Sequence, residues 1–162
     1  MTNSLIALRK LIYASAIVAA LLLLVGLPAA ATDKADVMAT VRQFVDSFNK
    51  GDVKAVAATC SDQAAILDEF PPYEWHGAAA CAQWTEAYDA DAKKNAITDG
   101  VVTLGTPTHV DVTGDRAYVV VPANYKFKKA GKPMQETGSI LTVALQKGSS
   151  GWRITGWSWA KH

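Results

Sequence analysis

The stretch from Ile66 to Tyr88 contains the two side chains best suited to proton chemistry, Asp68 and His76. Asp68 follows the apolar run Ala64–Leu67, so we expect it at the end of a strand, directed into an apolar pocket. Burial raises the pKa of a carboxyl group, and such a carboxylate can take a proton from a carbon atom next to a carbonyl. An imidazole changes charge near neutral pH and can act as acid or base. This pattern predicts Asp68 and His76 as catalytic residues of a pocket.

Both residues also have a structural interpretation. Asp68 can accept hydrogen bonds from backbone N–H groups around the corner at Pro71 and Pro72. His76 can contact solvent or the start of the helix that follows. Glu69 alternates with Asp68, so the pattern predicts that Glu69 faces solvent. A single well-placed carboxylate is compatible with proton abstraction and equally compatible with a binding site.

Aromatic and amide side chains are predicted to line this pocket and to stack on a planar ligand. The predicted ligand-binding residues are Tyr73, Trp75, Trp84, Tyr88, Tyr118, Asn124 and Trp157. Trp84 and Tyr88 are one helical turn apart and share a face. In the last predicted strand, alternation places Trp157 and Trp159 on one face and Trp152 on the other. These rings can instead serve the core or a dimer interface.

Tyr118 and Asn124 belong to one long predicted strand. Alternation places them on the same face and Tyr125 on the opposite face, unless a bulge changes the register. Pro122 lies inside this strand and predicts a bulge or an edge position. A buried Asn124 would face a polar ligand or water, because buried amides are hydrogen-bonded.

Two cysteines, Cys60 and Cys81, are able to close a loop of about 20 residues as one disulfide. The alternative is a pair of buried thiols that do not meet. No Cys/His spacing matches a zinc site, and the sequence contains no G-x-S-x-G elbow, phosphate-binding glycine loop or H-E-x-x-H motif. The sequence therefore predicts neither a metal nor a cofactor, and it argues against nucleophilic hydrolysis and nucleotide use.

The spacing of apolar residues predicts a first amphipathic helix after residue 32. Steps of three and four give it one apolar face, formed by Val37, Val41, Phe44, Val45 and Phe48. We expect Asp33 or Asp36 to cap the start of this helix. Gly51 and Asp52 should end it and begin the next helix, since glycine suits the position after a helix and aspartate suits a cap.

The remaining elements are predicted to be helices first and strands later. A short second helix is expected over residues 53–59, a strand over 64–68 and a third helix over 77–91. Beyond Asn95, runs rich in valine and threonine alternate with glycine-containing turns, which indicates antiparallel hairpins. Helices segregated on one face of such a sheet give an α+β fold.

The first 31 residues have the pattern of a secretory signal peptide. Arg9 and Lys10 precede the apolar run Ala14–Leu27, and small residues then extend to Ala31, the predicted cleavage site. The sequence thus predicts a signal peptide over 1–31, a domain over 32–162, and a secreted or periplasmic location. The alternative is an uncleaved membrane anchor, although the apolar run is close to the minimum length of a membrane-spanning helix.

The charge balance argues against electrostatic partners. The 162 residues include 16 Lys and Arg and 15 Asp and Glu, and cleavage after Ala31 would remove Arg9 and Lys10. The mature part would then carry 14 basic and 15 acidic residues, a net charge of −1. Such a balance gives no long-range attraction to nucleic acid or anionic lipid. We therefore expect no nucleic-acid partner, and no membrane contact after cleavage.

The order of the predicted elements resembles the nuclear transport factor 2-like superfamily and, within it, the SnoaL-like branch. The matching segments cover nearly all of Val37–Ala160 and are FVDSFNKGDVKAVAATCSDQAAILD, EWHGAAACAQW, DRAYVVVPANYKFKKAGK and GWRITGWSWA. The Gly51-Asp52 break and the terminal W-x-I-x-x-W are typical of the fold rather than of one activity.

This resemblance implies an α+β cone with a deep pocket between three helices and a strongly curved antiparallel sheet, and often a homodimer. Relatives include ketosteroid isomerases, polyketide cyclases, dehydratases and non-catalytic binding domains. The first hypothesis is an exported domain that binds a small apolar or aromatic molecule. The second is a cofactor-free isomerase, cyclase or dehydratase with Asp68 as general base and His76 or Tyr73 holding the enolate oxygen. The third is a structural dimerisation module whose pocket is filled by its own side chains.

Overall fold

Three helices and one sheet make up residues 29–162, the part of the chain that the computed structural model describes. The helices are α1 (Ala29–Asn49), α2 (Val53–Thr59) and α3 (Ala80–Lys94). The strands are β1 (Cys60–Leu67), β2 (Glu74–Gly77), β3 (Ile97–Leu104), β4 (His109–Thr113), β5 (Arg116–Lys129), β6 (Lys132–Gly148) and β7 (Gly151–Ala160). The predicted signal peptide lies outside the described residues, except for its last three positions. Within the described range, no helix is long and apolar enough to cross a membrane.

Helix α1 buries the apolar face that the spacing predicts. Val37 and Val41 are fully buried against the sheet and the other helices. The helix begins at Ala29, so Asp33 and Asp36 lie inside it, and the prediction that one of them caps its start was wrong. Three- and four-residue spacing defines which face of a helix is apolar, but it does not define where the helix begins.

The break between α1 and α2 forms as predicted. Gly51 has a φ of 67°, in the left-handed region that glycine adopts without steric cost. Asp52 Oδ1 accepts a hydrogen bond from the Ala55 backbone N–H at 2.9 Å and so caps α2. This sharp reversal directs the chain into β1, which carries the site residues at its far end.

The sheet has seven strands and is mixed, which corrects the predicted antiparallel sheet. Its order is β2-β1-β7-β6-β5-β3, with β4 also paired to β5. Strands β4 to β7 form the predicted antiparallel hairpins. Strand β3 pairs antiparallel with β5 rather than with the consecutive strand β4, and β1 runs parallel to β7. The parallel pair arises because α3 and the whole meander separate β1 from β7 along the chain. Strand β2, a short partner of β1, was not predicted.

A bulge in β7 overturns the predicted alternation of its tryptophans. Ala144 pairs with Gly156, and the next residue, Leu145, pairs with Ile154, so Thr155 is an extra residue in β7. The bulge reverses the alternation at that point. As a result Trp152 and Trp157 are both buried, 6% and 5% exposed, and the prediction that Trp152 lies on the opposite face was wrong.

The bulge predicted near Pro122 lies two residues later and on the neighbouring strand. Two residues of β6, Thr137 and Gly138, lie opposite Asn124 of β5. Strand β5 is also internal, since it pairs with β6 on one side and with β3 and β4 on the other. The pairing of β5 with β4 stops at Val120, and its pairing with β3 starts at Ala123. Pro122 lies between these two segments, where the N–H that proline lacks is not needed for strand pairing.

Cys60 and Cys81 form the predicted disulfide. Their Cα atoms are 6.5 Å apart, within the range that a disulfide requires. The bond joins the start of β1 to the first turn of α3. It therefore closes the segment that contains the proline corner and Asp68.

Candidate functional site

A cavity opens between α1, α3 and the inner face of the sheet. Its volume is about 70 Å³, and the empty space rises to about 540 Å³ when the solvent-open mouth is included. The residues that line it are Phe44, Val45, Phe48, Asp68, Glu69, Phe70, Trp84, Tyr88, Val102, Tyr125, Leu141, Trp157 and Trp159. Most of this wall is aromatic or aliphatic, and the polar exceptions are two carboxyl groups and the hydroxyls of two tyrosines.

Asp68 is held at the cavity wall by two charge-assisted hydrogen bonds. Its Oδ2 accepts from Trp84 Nε1 at 2.7 Å, and its Oδ1 accepts from the Glu69 backbone N–H at 2.7 Å. The Asp68 backbone N–H in turn donates to the Tyr73 carbonyl at 3.0 Å, which closes the proline corner. The sequence is compatible with two alternatives for Asp68, a position in the pocket and a hydrogen bond to the local backbone. The structure shows both.

Burial raises the pKa of Asp68 from 3.8 to about 6, because the apolar wall disfavours the charged carboxylate. The hydrogen bonds from Trp84 and the Glu69 N–H act in the opposite direction, since they stabilise the carboxylate. The nearby negative charges of Glu69 and Glu136 raise the pKa further. With a pKa of about 6, the group is mostly ionised at pH 7 yet close enough to accept and return a proton.

A second acidic group lies beside Asp68: Glu69 is exposed, as the alternation predicts, and it also lines the cavity. Glu69 Oε2 is 3.1 Å from Lys161 Nζ, and the same ammonium is 2.9 Å from Glu136 Oε1. The Glu69 and Glu136 side chains are 30% and 15% exposed. Burial raises the pKa of Glu69, the Lys161 hydrogen bond opposes this shift, and the Glu136 charge adds to it.

Two tyrosines form the second polar feature of the cavity. Tyr88 Oη on α3 and Tyr125 Oη on β5 are 2.5 Å apart and share one hydrogen bond. Burial raises the pKa of both hydroxyls above the ordinary value of 10.0. Both groups are therefore protonated at neutral pH. Since one hydroxyl donates to the other, one O–H remains able to donate to a ligand.

The rings of the cavity form one contiguous cluster around Trp84. Trp157 meets Trp84 edge-on at a centroid distance of 4.8 Å, and Phe48 lies 5.3 Å from Trp84. Tyr88 packs edge-on against Phe48 at 4.8 Å. Such edge-to-face and tilted arrangements are favourable for aromatic pairs and fix the orientation of each ring.

The structure brings four of the predicted site residues to one cavity and places five elsewhere. Asp68, Trp84, Tyr88 and Trp157 line it. The other five are Tyr73, Trp75, His76, Tyr118 and Asn124, and none of them lines this cavity.

The excluded residues lie outside the cavity for identifiable reasons. The His76 side chain is 63% exposed and lies 3.3 Å from Glu74. Tyr73 and Tyr118 are 56% and 47% exposed. Trp75 is buried and packs behind the cavity, against the lining residue Phe70, at 5.3 Å.

Asn124 occupies the β5 position opposite the β6 bulge. Its Oδ1 lies 3.4 Å from the Gly138 backbone N–H, which donates to it. The polar partner expected for this amide is therefore the backbone of the bulge, and the side chain does not face the cavity.

Several site residues were missed because the sequence gives no clear signal for them. Tyr125 was predicted to face away from Tyr118, and the structure confirms this, but β5 is apolar on both faces and does not reveal which face is inside. Glu136 reaches the site because it is paired with Tyr125 across the sheet, and Lys161 because it follows β7. Register between strands could not be deduced from the sequence.

The described residues contain no group of three or more His, Cys, Asp or Glu side chains that could hold a metal ion. The site chemistry available from these residues is proton transfer by Asp68, hydrogen-bond donation by the tyrosine pair, and stacking on the rings.

Comparison with protein families gives one match along most of the chain. The model described as a SnoaL-like domain matches residues 37–158. Comparison with curated proteins found no match.

Solved structures with the same fold are similar in shape but distant in sequence. A nuclear transport factor 2 (NTF2-like) superfamily protein from Salmonella enterica serovar Typhimurium is 17% identical with a TM-score of 0.68, over 82% of this chain and 92% of that one. An NTF2-like protein with a cystatin-like fold from Novosphingobium aromaticivorans is 18% identical with a TM-score of 0.66, over 90% and 87%. A ketosteroid isomerase-like protein from Erwinia carotovora atroseptica is 18% identical with a TM-score of 0.63, over 80% and 95%.

Proposed function

The chain belongs to the SnoaL-like domain family, and from this membership we propose that it binds a small aromatic or apolar molecule that carries one hydrogen-bonding group. The observation that supports the proposal is the cavity, whose rings surround an Asp68 carboxyl group and a tyrosine hydroxyl pair. Apolar walls with a few converging polar groups are typical of small-molecule sites.

The size and charge of the cavity narrow the class of ligand. Drug-sized pockets measure about 300–1,000 Å³, so a cavity of about 70 Å³ accepts one ring system, with the remainder of the ligand in the open mouth. Asp68 and Glu69 both disfavour a negatively charged group there. A neutral phenol or ketone fits these conditions better than a carboxylate.

The experiment uses 2-naphthol as a neutral probe and 2-naphthoate as its anionic counterpart. Isothermal titration calorimetry at pH 7 should show that 2-naphthol binds and that 2-naphthoate binds at least about tenfold more weakly, because the anionic probe would add a further negative charge beside the carboxyl groups of Asp68 and Glu69. Equal affinity for the two probes would contradict the proposed polarity of the site.

A matched pair of substitutions on β3 tests the location. Val102 lines the cavity, whereas the preceding residue, Val101, is 45% exposed. Val102→Phe should fill the cavity and weaken 2-naphthol binding at least about tenfold, while Val101→Phe should leave binding unchanged. Thermal unfolding of both variants verifies that they are folded. Absence of 2-naphthol binding to the unmodified chain would favour the structural dimerisation hypothesis.

A second candidate function is proton transfer next to a carbonyl group, and the raised pKa of Asp68 favours it. The Asp68 carboxylate would remove a proton from the carbon adjacent to a ketone, which gives a neutral carboxylic acid and an enolate. The tyrosine pair would donate a hydrogen bond to the enolate oxygen. Asp68 would then return the proton. Return to the same carbon regenerates the ketone and amounts to hydrogen exchange, whereas return to a different carbon of a conjugated enolate completes an isomerisation without any cofactor.

Deuterium exchange provides the test of this second candidate. With 2-tetralone in D₂O, the chain should accelerate exchange of the protons next to the carbonyl, and Asp68→Asn should abolish the acceleration because the amide cannot accept a proton. Normal 2-naphthol binding with no accelerated exchange would leave the binding function and exclude the catalytic one for this ketone.

We further propose that the chain is exported, as its N-terminal sequence predicts. The Cys60–Cys81 disulfide supports this location, because disulfides form and persist in oxidising compartments. Cell fractionation combined with mass spectrometry should find an extracytoplasmic chain that begins at Thr32. A chain retaining its first 31 residues would contradict cleavage.

A further inference from the structure

The tyrosine pair meets over a residue without a side chain. Gly100 lies in β3, at an irregularity where the pairing with β5 shifts between Thr98 and Val101. A Cβ atom at this position would be 2.6 Å from Tyr125 Oη and 2.7 Å from Tyr88 Oη. Both distances are far below an ordinary carbon–oxygen contact, so the two hydroxyls occupy the space that any side chain would take.

The rings that carry these hydroxyls have little freedom to move away. Tyr88 packs edge-on against Phe48 at 4.8 Å, and Tyr125 is stacked on Phe127 at 4.7 Å. A substituent at position 100 would therefore separate the two oxygens before it displaced either ring from its neighbours.

We propose that Gly100 is a positioning residue, whose missing side chain allows Tyr88 and Tyr125 to share a hydrogen bond at the cavity wall. The effect on a ligand rests on the proposed function, because the pair has to meet the polar group of the ligand. The effect on the tyrosines themselves does not depend on any ligand.

Proton NMR provides a direct readout of the pair. A short hydroxyl–hydroxyl hydrogen bond in a buried site should give a downfield resonance that exchanges slowly with water, and Tyr125→Phe should remove it and so assign it. Gly100→Ala should remove the same resonance. Gly105→Ala is the matched control, since a Cβ there would meet its nearest atom, the Pro122 carbonyl oxygen, at 3.4 Å. That variant should keep the resonance.

Two spectra would overturn the proposal. If the resonance persists in Gly100→Ala, the strand moves instead of the hydroxyls, and Gly100 does not position them. If the unmodified chain gives no such resonance, the pair does not exist in solution.

A second substitution distinguishes a specific clash with the tyrosine hydroxyls from a nonspecific loss of stability. Tyr125→Phe removes the oxygen nearest to the added methyl group and leaves space into which the Tyr88 hydroxyl can move. The melting temperature lost in Gly100→Ala should therefore be partly restored when Tyr125→Phe is already present. An equal loss in both backgrounds would overturn the proposal. If Gly100→Ala alone does not fold, folding of the double variant supports the proposal and failure of both overturns it.

Binding of 2-naphthol then tests the functional part. Gly100→Ala should weaken binding about fivefold, the effect of losing about one hydrogen bond, and Gly105→Ala should leave it unchanged. If the unmodified chain does not bind 2-naphthol, the proposed function fails, while the resonance and the rescue still decide the role of Gly100. Unchanged binding in a Gly100→Ala variant that has lost the resonance would overturn a role for Gly100 in ligand contact.

Discussion

Asp68 is the residue at which burial and hydrogen bonding compete most directly. Desolvation raises its pKa, and the donors Trp84 Nε1 and Glu69 N–H lower it, with burial the larger effect. Because the folded carboxyl group has the higher pKa, the native state binds more protons than the unfolded chain between pH 3.8 and about 6. The contribution of Asp68 to stability is therefore greatest at low pH and is lost as the pH rises through this window.

The first prediction concerns this loss of stability with rising pH. The rise in pKa from 3.8 to about 6 corresponds to about 3 kcal/mol. Between about pH 4 and pH 7, the unfolding free energy of the unmodified chain should fall by about 2 kcal/mol relative to that of Asp68→Asn. Urea denaturation at each pH measures both values. The same comparison with Asp62→Asn, at an exposed strand position, should show no comparable change. A pH-independent difference between the unmodified chain and Asp68→Asn would contradict the raised pKa.

The second prediction separates the indole donor from the indole ring. Trp84→Phe keeps a ring but removes the N–H that donates to Asp68 Oδ2, so the pKa of Asp68 should rise above about 6. Trp157→Phe is the matched control, since Trp157 Nε1 is buried and has no hydrogen-bond partner among the described residues. Carboxyl chemical shifts from an NMR titration measure the pKa in each variant. The same shift in both variants would mean that ring packing, not the hydrogen bond, controls Asp68.

The contrast between Asp68 and Glu69 shows the limit of residue-level prediction. The apolar run before Asp68 placed it at the end of β1, where the structure has it. Alternation correctly predicted that Glu69 is exposed, but it gave no sign that Glu69 also lines the cavity, because β1 ends at Leu67 and the chain turns. Both carboxyl groups then line the same cavity. A period of two is informative only while the strand continues.

At the scale of elements, the end of α1 holds the edge strand that forms one wall of the cavity. Asn49 Nδ2 donates to the Val102 carbonyl at 2.8 Å, and the Val102 N–H donates to Asn49 Oδ1 at 2.8 Å. The side-chain amide thus takes the place of a neighbouring strand. It satisfies backbone groups that an edge strand otherwise leaves open.

The third prediction tests this contact between α1 and β3. Asn49→Ala removes both hydrogen bonds and should lower the unfolding free energy by about 2 kcal/mol. Hydrogen exchange at the Val102 amide should accelerate, because its acceptor is gone. Asn95→Ala, which removes only a local bond to the Asp91 carbonyl, is the control and should not change exchange at Val102. Unchanged protection of Val102 in Asn49→Ala would contradict the contact.

The elements themselves could be predicted better than their pairing. Apolar spacing identified the buried face of α1, and Gly51-Asp52 located the break before α2. The bulge at Thr155 could not be foreseen, because its cause is the pairing of β7 with β6 rather than any residue type. One extra residue was enough to reverse the predicted direction of Trp152.

At the scale of the whole molecule, local pattern was sufficient for the fold family but not for the sheet topology. The succession of helices, hairpins and the terminal W-x-I-x-x-W led to the resemblance that the family match and the solved structures confirm. The parallel contact of β1 with β7 joins residues far apart in the chain, such as Ile66 and Trp157. Non-local pairing of this kind follows from packing of the complete chain and has no local signature.

The disulfide also acts on the whole molecule, through the unfolded chain. Cys60 and Cys81 are separated by 21 residues, and closing a loop of that length reduces the entropy of the unfolded state by an amount worth about 3 kcal/mol. We therefore predict that reduction lowers the unfolding free energy by about 3 kcal/mol, as measured by urea denaturation with and without reductant.

The matched control for this fourth prediction is the Cys60→Ala/Cys81→Ala double variant. It should be less stable than the oxidised chain and insensitive to reductant, because it has no bond to break. Since the loop carries Asp68 and the proline corner, hydrogen exchange should accelerate first in this loop when the disulfide is opened. Equal stability of the oxidised and reduced chains would mean that the contacts of β1 and α3 already restrict the unfolded chain as strongly as the covalent bond does.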